Sequence, residues 1–296
     1  KPAAVELHTT MDLLCDAPTT VGLSPDTTSE QAFLPEPSSL RASMLLADRG
    51  YVDLHYLRRV QDAGGFFLIR AKAGMNPQVL EAFREDGKRL RSLRNKPLQS
   101  IHTKLPKRQR VELRVRWDVD GAPLCLRLIV SWNRRTKSFC YFLTNLPAPS
   151  YPLEVICRAY KWRWQVELLF KEWKSYANLH AFDTANPTLV EGLIWAAIAA
   201  AALKRFVAHM TQLLVKVPMS TRKVAMCAVH VLGGIVQALK TGDMAGLYDA
   251  LEEAVTYLAC HAQRAHPQRD RQTGRAQLGL EPCFEHDDVI EFADAA

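Results

Sequence analysis

No Cys-x-x-Cys pair occurs in this sequence, and its seven cysteines (Cys15, Cys125, Cys140, Cys157, Cys227, Cys260 and Cys283) are scattered and odd in number. That pattern excludes a disulfide framework or a zinc ribbon and fits a reducing cytoplasm. The nine histidines show no His-x-x-x-His spacing and no pairing with cysteine, so none is assigned to a metal. There is no Gly-x-x-x-x-Gly-Lys-Ser/Thr loop, no Gly-x-Gly-x-x-Gly and no Gly-x-Ser-x-Gly. Nucleotide-driven and serine-hydrolase chemistry therefore lose their usual signatures. No signal-peptide pattern opens the sequence, and the most apolar run, Leu193 to Leu203, is alanine-rich and too short to span a bilayer. No internal repeat is visible.

What is present is charge of one sign in one place. The 296 residues carry a net charge of +7. Between Arg84 and Lys137 there are sixteen Lys or Arg against five Asp or Glu, so most of the excess lies in that segment. A basic stretch of this kind suits an acidic polymer, nucleic acid first. Lys107, Arg108, Arg110, Arg134 and Arg135 are its candidate DNA contacts.

Along the chain, Val5 to Leu13 alternates like a half-buried strand, and Thr19 to Leu23 reads as its partner across a turn at Asp16. Ser24 to Ser39, with three prolines, reads as a loop or broken helix. Met44 to Ala47 is a short continuous apolar run, expected to be a buried strand, and it ends in Asp48. A helix follows from Val52 to Ala63, stopped by Gly64-Gly65, and then a buried strand from Phe66 to Arg70. Further strands are expected at Val111 to Val119, Leu124 to Trp132 and Ser138 to Leu143, with a turn at Asp120-Gly121. In the first of these three, Glu112, Arg114 and Arg116 alternate with apolar residues, which predicts one apolar and one mostly basic face. Trp117 and Trp132 read as core packing of that region or as platforms for an extruded base. Beyond Asn178 the pattern is helical: Pro187 to Met210, Ser220 to Lys240 and Met244 to His261.

The stretch Leu153 to Leu179 is expected to be one helix. At about 100° per residue, Tyr160, Arg163, Glu167 and Lys174 fall within roughly 60° of one another, and Trp162, Val166, Leu169 and Trp173 form a separate apolar stripe. Ordinary surface ion pairs are the plain explanation of such a charged stripe. The spacing Tyr-x2-Arg-x3-Glu-x6-Lys, however, resembles the signature of DDE-class insertion-sequence transposases, those grouped around insertion sequence four. The resemblance runs from about Val5 to about Met210.

The resemblance implies an α/β chain: an RNase H-like catalytic fold interrupted by a β-rich insertion and followed by a helical C-terminal region. On that expectation, residues 1–73 begin the RNase H-like domain, 74–150 form the basic insertion and 151–180 carry the catalytic helix. Residues 181–262 are the helical region and 263–296 a flexible tail. It implies that Asp48 and Glu167 are two of three acids that hold a pair of Mg²⁺ ions, with Mn²⁺ as a substitute. Their carboxylates are then expected within about 10 Å of each other. Tyr160, Arg163 and Lys174 would grip phosphates, and Trp164 would border the site. The first acid has no convincing counterpart: Asp12 and Asp16 read better as strand-end and turn residues. The first strand and its Asp, and the family's N-terminal DNA-binding region, are expected to precede Lys1. The implied partners are DNA, as terminal inverted repeats and target, and a second copy in a synaptic dimer, with no membrane. The implied setting is the bacterial cytoplasm, on the nucleoid when bound. A decayed, non-catalytic DNA-binding fragment and an RNase H-like nuclease are the alternatives.

Overall fold

Two strands, β1 (Val5–Asp12) and β2 (Ala17–Pro25), pair as a separate small sheet at the start of the chain. The computed structural model describes residues 5–14, 17–25, 27–72, 74–176, 179, 182, 184 and 186–265. Asp16, Cys15, Cys283 and all but the first three residues of the expected tail lie outside them. The chain divides into two compact units, one holding nearly everything up to Trp164 and the other running from Gln165 onward.

In the first unit the proline-bearing stretch after β2 forms two 3-10 turns, Glu30–Phe33 and Pro37–Leu40. Then come β3 (Met44–Ala47), α1 (Leu54–Asp62) and β4 (Phe66–Arg70). Asp53 caps α1 by accepting from the His55 and Tyr56 N–H groups at 2.9 and 3.1 Å. Gly64, at φ +78°, ends it, a conformation that side chains with a Cβ adopt reluctantly. Five more strands follow: β5 (Gln78–Arg84), the two-residue β6 (Lys96–Pro97), β7 (Val111–Val119), β8 (Ala122–Asn133) and β9 (Ser138–Thr144). A four-residue helix, α2 (Leu98–Ile101), lies between β6 and β7.

These strands form one mixed sheet of seven in the order β3-β4-β9-β8-β7-β5-β6, so the fold is α/β with a mixed sheet. β3 runs parallel to β4, and β9 pairs antiparallel with β4, which places the strands of the 74–150 segment in the same sheet as β3 and β4. β3 is therefore an edge strand and only half covered, rather than the fully buried strand its apolar run suggests.

One sheet face is apolar throughout. Leu113, Val115, Leu124, Leu126, Leu128, Val130, Tyr141 and Leu143 are buried there in one cluster with Tyr56, Leu57 and Val60 of α1. Trp117 is partly buried against the same core. Turn geometry supports this packing: Asp120 and Gly121 take φ +50° and +74°, a reversal suited to the twist of the β7–β8 hairpin. Arg58 on α1 donates to the Ala122 carbonyl at 2.7 Å and ties the helix to that turn.

The opposite face is not simply a charged surface. Glu112 and Arg127 form a two-bonded pair, both contacts 2.8 Å, with Arg127 only 7% exposed. The same guanidinium donates to the carbonyls of Leu146 at 2.7 Å and Tyr151 at 3.1 Å. Two of its three remaining N–H donors thus bind the segment that leads into α3 (Leu153–Ala159). Asn145 adds a clamp, accepting from the Phe67 N–H and donating to the Gly65 carbonyl, both at 2.9 Å.

The expected single helix over Leu153 to Leu179 is broken. α3 gives way to a 3-10 turn, Tyr160–Arg163, and α4 begins at Trp164 and runs to Tyr176. A 3-10 turn advances about 120° per residue, so Tyr160 and Arg163 stack in one column and the angles of a continuous α-helix do not apply across it. The apolar stripe holds in burial: Trp162, Leu169 and Trp173 are 5, 1 and 1% exposed.

In the second unit α4 is followed by α5 (Pro187–Val215), α6 (Thr221–Thr241) and α7 (Met244–His261). Asn186, Ser220 and Asp243 cap them with their side chains. Ala208, Val215, Val224 and Leu258 make their common core. Leu193 to Leu203 proves to be the middle of a 29-residue helix, and α5 and α6 are each long and apolar enough to cross a bilayer by length and composition.

Removing the cation from a buried pair strands its carboxylate, so Arg127→Ala is expected to cost about 3–5 kcal/mol in urea unfolding. The double change Arg127→Met with Glu112→Leu should recover most of it. A loss below about 1 kcal/mol for Arg127→Ala would place the pair with ordinary surface bridges.

Candidate functional site

Asp48 immediately follows β3, at the carboxyl end of a parallel strand pair, where ligands of such sheets collect. Ala47 pairs with Ile69, so Asp48 stands level with Arg70 at the end of β4. Arg70 pairs in turn with Phe142, Phe142 with Ile129, and Ile129 with Glu112. Directly paired residues share a sheet face. Asp48, Arg70 and Phe142 therefore form one row on the face opposite the apolar core.

Tyr160 lies over that row. Its ring centroid is 4.8 Å from that of Phe142, and its hydroxyl donates to Asp48 Oδ1 at 3.4 Å across 112 residues of sequence. The Arg163 guanidinium sits 5.9 Å from the Tyr160 ring centre, as the 3-10 column requires. Burial pushes the Tyr160 phenol well above its usual value, and the Asp48 carboxylate adds to this by repelling the phenolate and accepting its hydrogen bond. Arg163 and Arg70 act in the opposite direction. Tyr51 is raised too, by burial first and then by Glu30, Asp48 and Glu6.

Asp48 also serves as a turn cap. Its Oδ1 accepts from the Arg49 N–H at 2.7 Å and caps the 3-10 turn Arg49–Tyr51. No hydrogen bond engages Oδ2 among the described residues, so one carboxylate oxygen is left for a hard divalent cation, whose preferred ligands are oxygens. Among the described residues no three His, Cys, Asp or Glu side chains gather as a metal cluster. Asp48 thus fits as one ligand, with fewer companions than a two-ion site needs.

Strand register also places the basic residues. Val111 pairs with Val130 and Val130 with Tyr141, one step beyond the row of Asp48. Lys107, Arg108 and Arg110, just before β7, and Arg134 and Arg135, at the tip of the β8–β9 hairpin, therefore project from the same end of the sheet. From Phe142 to the start of β9 at Ser138 is roughly 13 Å of strand. Lys107, Arg108, Arg134 and Arg135 are exposed, whereas Arg110 is engaged by Glu85 at 2.8 Å. Lys107 stands 4.7 Å over the Trp132 ring, which meets Phe139 edge-on.

The other expected site residues fall in or at the edge of the second unit. Trp164, the first residue of α4, is 55% exposed. Glu167 is in the first turn of α4 and Lys174 in the last, each complementing the helix dipole. On the same helix Glu172 pairs with Arg205 of α5 at 2.9 Å, both nearly buried.

Arg70 was not singled out by sequence reasoning. Its place beside Asp48 follows from a parallel register that no local pattern reveals. The one available signal is that both apolar strands end in a charged residue.

The site thus belongs to a mixed α/β sheet with an acid at the end of a parallel strand, met by a tyrosine from a distant helical segment. Residues 3–203 match the family model described as "Transposase DDE domain", and the chain belongs to that family. It is 41% identical over 77 residues to the transposase for insertion sequence element IS421 of Escherichia coli, covering 26% of this chain and 21% of that protein. It is 34% identical over 59 residues to the transposase for insertion sequence element IS231C of Bacillus thuringiensis subsp. berliner, covering 20% of this chain and 12% of that one. The matches thus span only about a fifth of the one relative's length and about an eighth of the other's.

Removing the charge at position 48 should lower the Tyr160 titration. In Asp48→Asn the phenol should ionise at lower pH than in the wild type, yet above an ordinary tyrosine because its burial remains. Phenolate absorbance, assigned by difference against Tyr160→Phe, reads this. An unchanged titration would dissolve the Asp48–Tyr160 contact.

Proposed function

We propose that this chain is the catalytic part of an insertion-sequence transposase of the Tyr-x2-Arg-x3-Glu-x6-Lys kind, grouped with insertion sequence four. It would cleave DNA at the element's ends and join them to a target in cut-and-paste transposition. The observation that carries the reading is the Tyr160–Asp48 hydrogen bond: the first residue of the signature meets the strand-end acid. The basic residues at the same end of the sheet support DNA as the substrate.

In this reading Asp48 and Glu167 are two of the three acids of an RNase H-like domain. They would hold Mg²⁺, or Mn²⁺ in its place, and the bound ions supply an activated water or 3′-hydroxyl and a stabilised leaving oxygen. Tyr160 keeps its proton at neutral pH and donates a hydrogen bond to Asp48, which helps orient the carboxylate. Arg163 clamps a phosphate by two parallel N–H bonds and Lys174 adds a point charge. Trp164 offers an exposed ring beside them. A further strand docked on the free edge of β3 would bring the first acid to the same sheet end. Joining two ends to one target calls for two copies of the protein held by DNA, in the bacterial cytoplasm. A second reading is a non-catalytic fragment that only grips DNA, through the exposed basic residues at the same sheet end.

With the full-length protein and duplex copied from the DNA bordering its gene, Glu167→Gln should abolish Mg²⁺-dependent nicking and leave binding intact. Arg163→Ala should weaken binding instead. If these are only surface ion pairs, each change costs under about 1 kcal/mol of stability and nicking survives. Retained nicking in Glu167→Gln would reject the mechanism.

Because the 74–150 strands share the sheet, charge removal tests their role better than deletion. Changing Lys107, Arg108, Arg134 and Arg135 together to Ala should flatten the log–log salt dependence of binding by about 3–4. An unchanged slope would place the DNA elsewhere.

A further inference from the structure

We infer that the exposed face of α5 is a coiled-coil seam through which two copies of this chain pair antiparallel, without DNA; this goes beyond the transposase reading and is tested apart from it. Apolar side chains recur along α5 from Leu189 to Leu214 at alternating steps of four and three residues. That spacing is the heptad of a two-helix seam, kept up over about 39 Å of helix. Leu189, Leu193, Leu203, Met210 and Leu214 are between 38 and 61% exposed. The other side of α5 is buried through Ile194, Ile198, Ala201 and Ala208. A helix that is apolar on both sides is ordinarily covered on both.

The order of residues along the seam identifies what covers it. Its steps read the same from either end, so an antiparallel copy turned about an axis between Ala201 and Ala202 falls into register with it. Leu189 then meets Leu214, Leu193 meets Met210, Ala196 meets Val207 and Ala200 meets Leu203. Each alanine thus faces a larger side chain, and the layers fill evenly. A parallel copy would set Ala196 and Ala200 against themselves in two successive layers, which leaves voids at the centre. No seam position carries a charge, and Phe206 and Leu213 widen the apolar face on one flank. Two such faces bury on the order of 1,500 Å² together, the size of a stable specific interface. A bilayer would also accept this helix by length and composition, but it imposes no order on the apolar side chains, and Arg205 in mid-helix is bonded to Glu172.

The test is the mass of the full-length protein by sedimentation, at micromolar concentration and without DNA. The wild type should sediment as a dimer. Leu203→Glu should halve the mass and leave the circular dichroism of the helices unchanged, because Leu203 is exposed. Adding Ala200→Lys to Leu203→Glu should restore the dimer, since each new lysine then meets the glutamate of the other copy. Only the antiparallel register gives that rescue. Should Leu203→Glu lose helicity, Leu193→Glu alone and together with Met210→Lys makes the same comparison at the ends of the seam. A monomeric wild type, a dimer that the glutamate variants leave intact, or a dimer lost without rescue by lysine overturns the inference. So does a wild type that stays monomeric and pellets with vesicles of phosphatidylglycerol and phosphatidylethanolamine. None of these outcomes reads nicking, so the transposase reading stands or falls by its own experiment.

Discussion

Arg127 is the contact on which the first unit turns. Its guanidinium joins β7 to β8 through Glu112, then reaches out of the sheet to the carbonyls of Leu146 and Tyr151. Those carbonyls belong to the stretch that enters α3, and α3 leads within a few residues to Tyr160. A buried ion pair gains little stability over an apolar substitute. What it fixes here is direction, since four directed bonds specify where the chain leaves β9 and crosses the sheet. Asn145 and Thr144 fasten the same exit from the other side, with Thr144 donating to the Phe67 carbonyl at 2.6 Å.

That anchorage lets residues far apart in sequence act in one row. Asp48, Arg70 and Phe142 are brought level by pairing alone, and Tyr160 is lowered onto them by the Arg127 clamp. A carboxylate, a neutral phenol and two guanidiniums are thus gathered at one sheet end. The hairpin tip with Arg134 and Arg135 extends the positive field outward from the same sheet end, where it can draw in a polyanion before any specific contact forms.

Much of this was legible in the sequence where a local rule governed. Strict alternation and the Asp120-Gly121 turn marked β7 and β8 closely. Non-local rules governed the rest. β5 escaped notice because its register slips between Val79 and Glu81 and spoils the alternation within a basic stretch. The break at Tyr160–Arg163 was hidden because a 3-10 turn keeps the apolar residues inward while rotating the charged ones. Glu112 and Arg127 counted as surface charge in the sequence, yet pairing across two strands buries them. Arg70 depended on a parallel register.

The free side of β3 has a consequence for handling the protein. Met44 to Ala47 offers a short ladder of backbone donors and acceptors with no partner strand among the described residues, flanked by apolar side chains. An uncovered ladder of this kind is a template for another chain. Two copies can satisfy each other there, edge to edge, and a charge or a proline placed within Met44 to Ala47 would blunt that pairing.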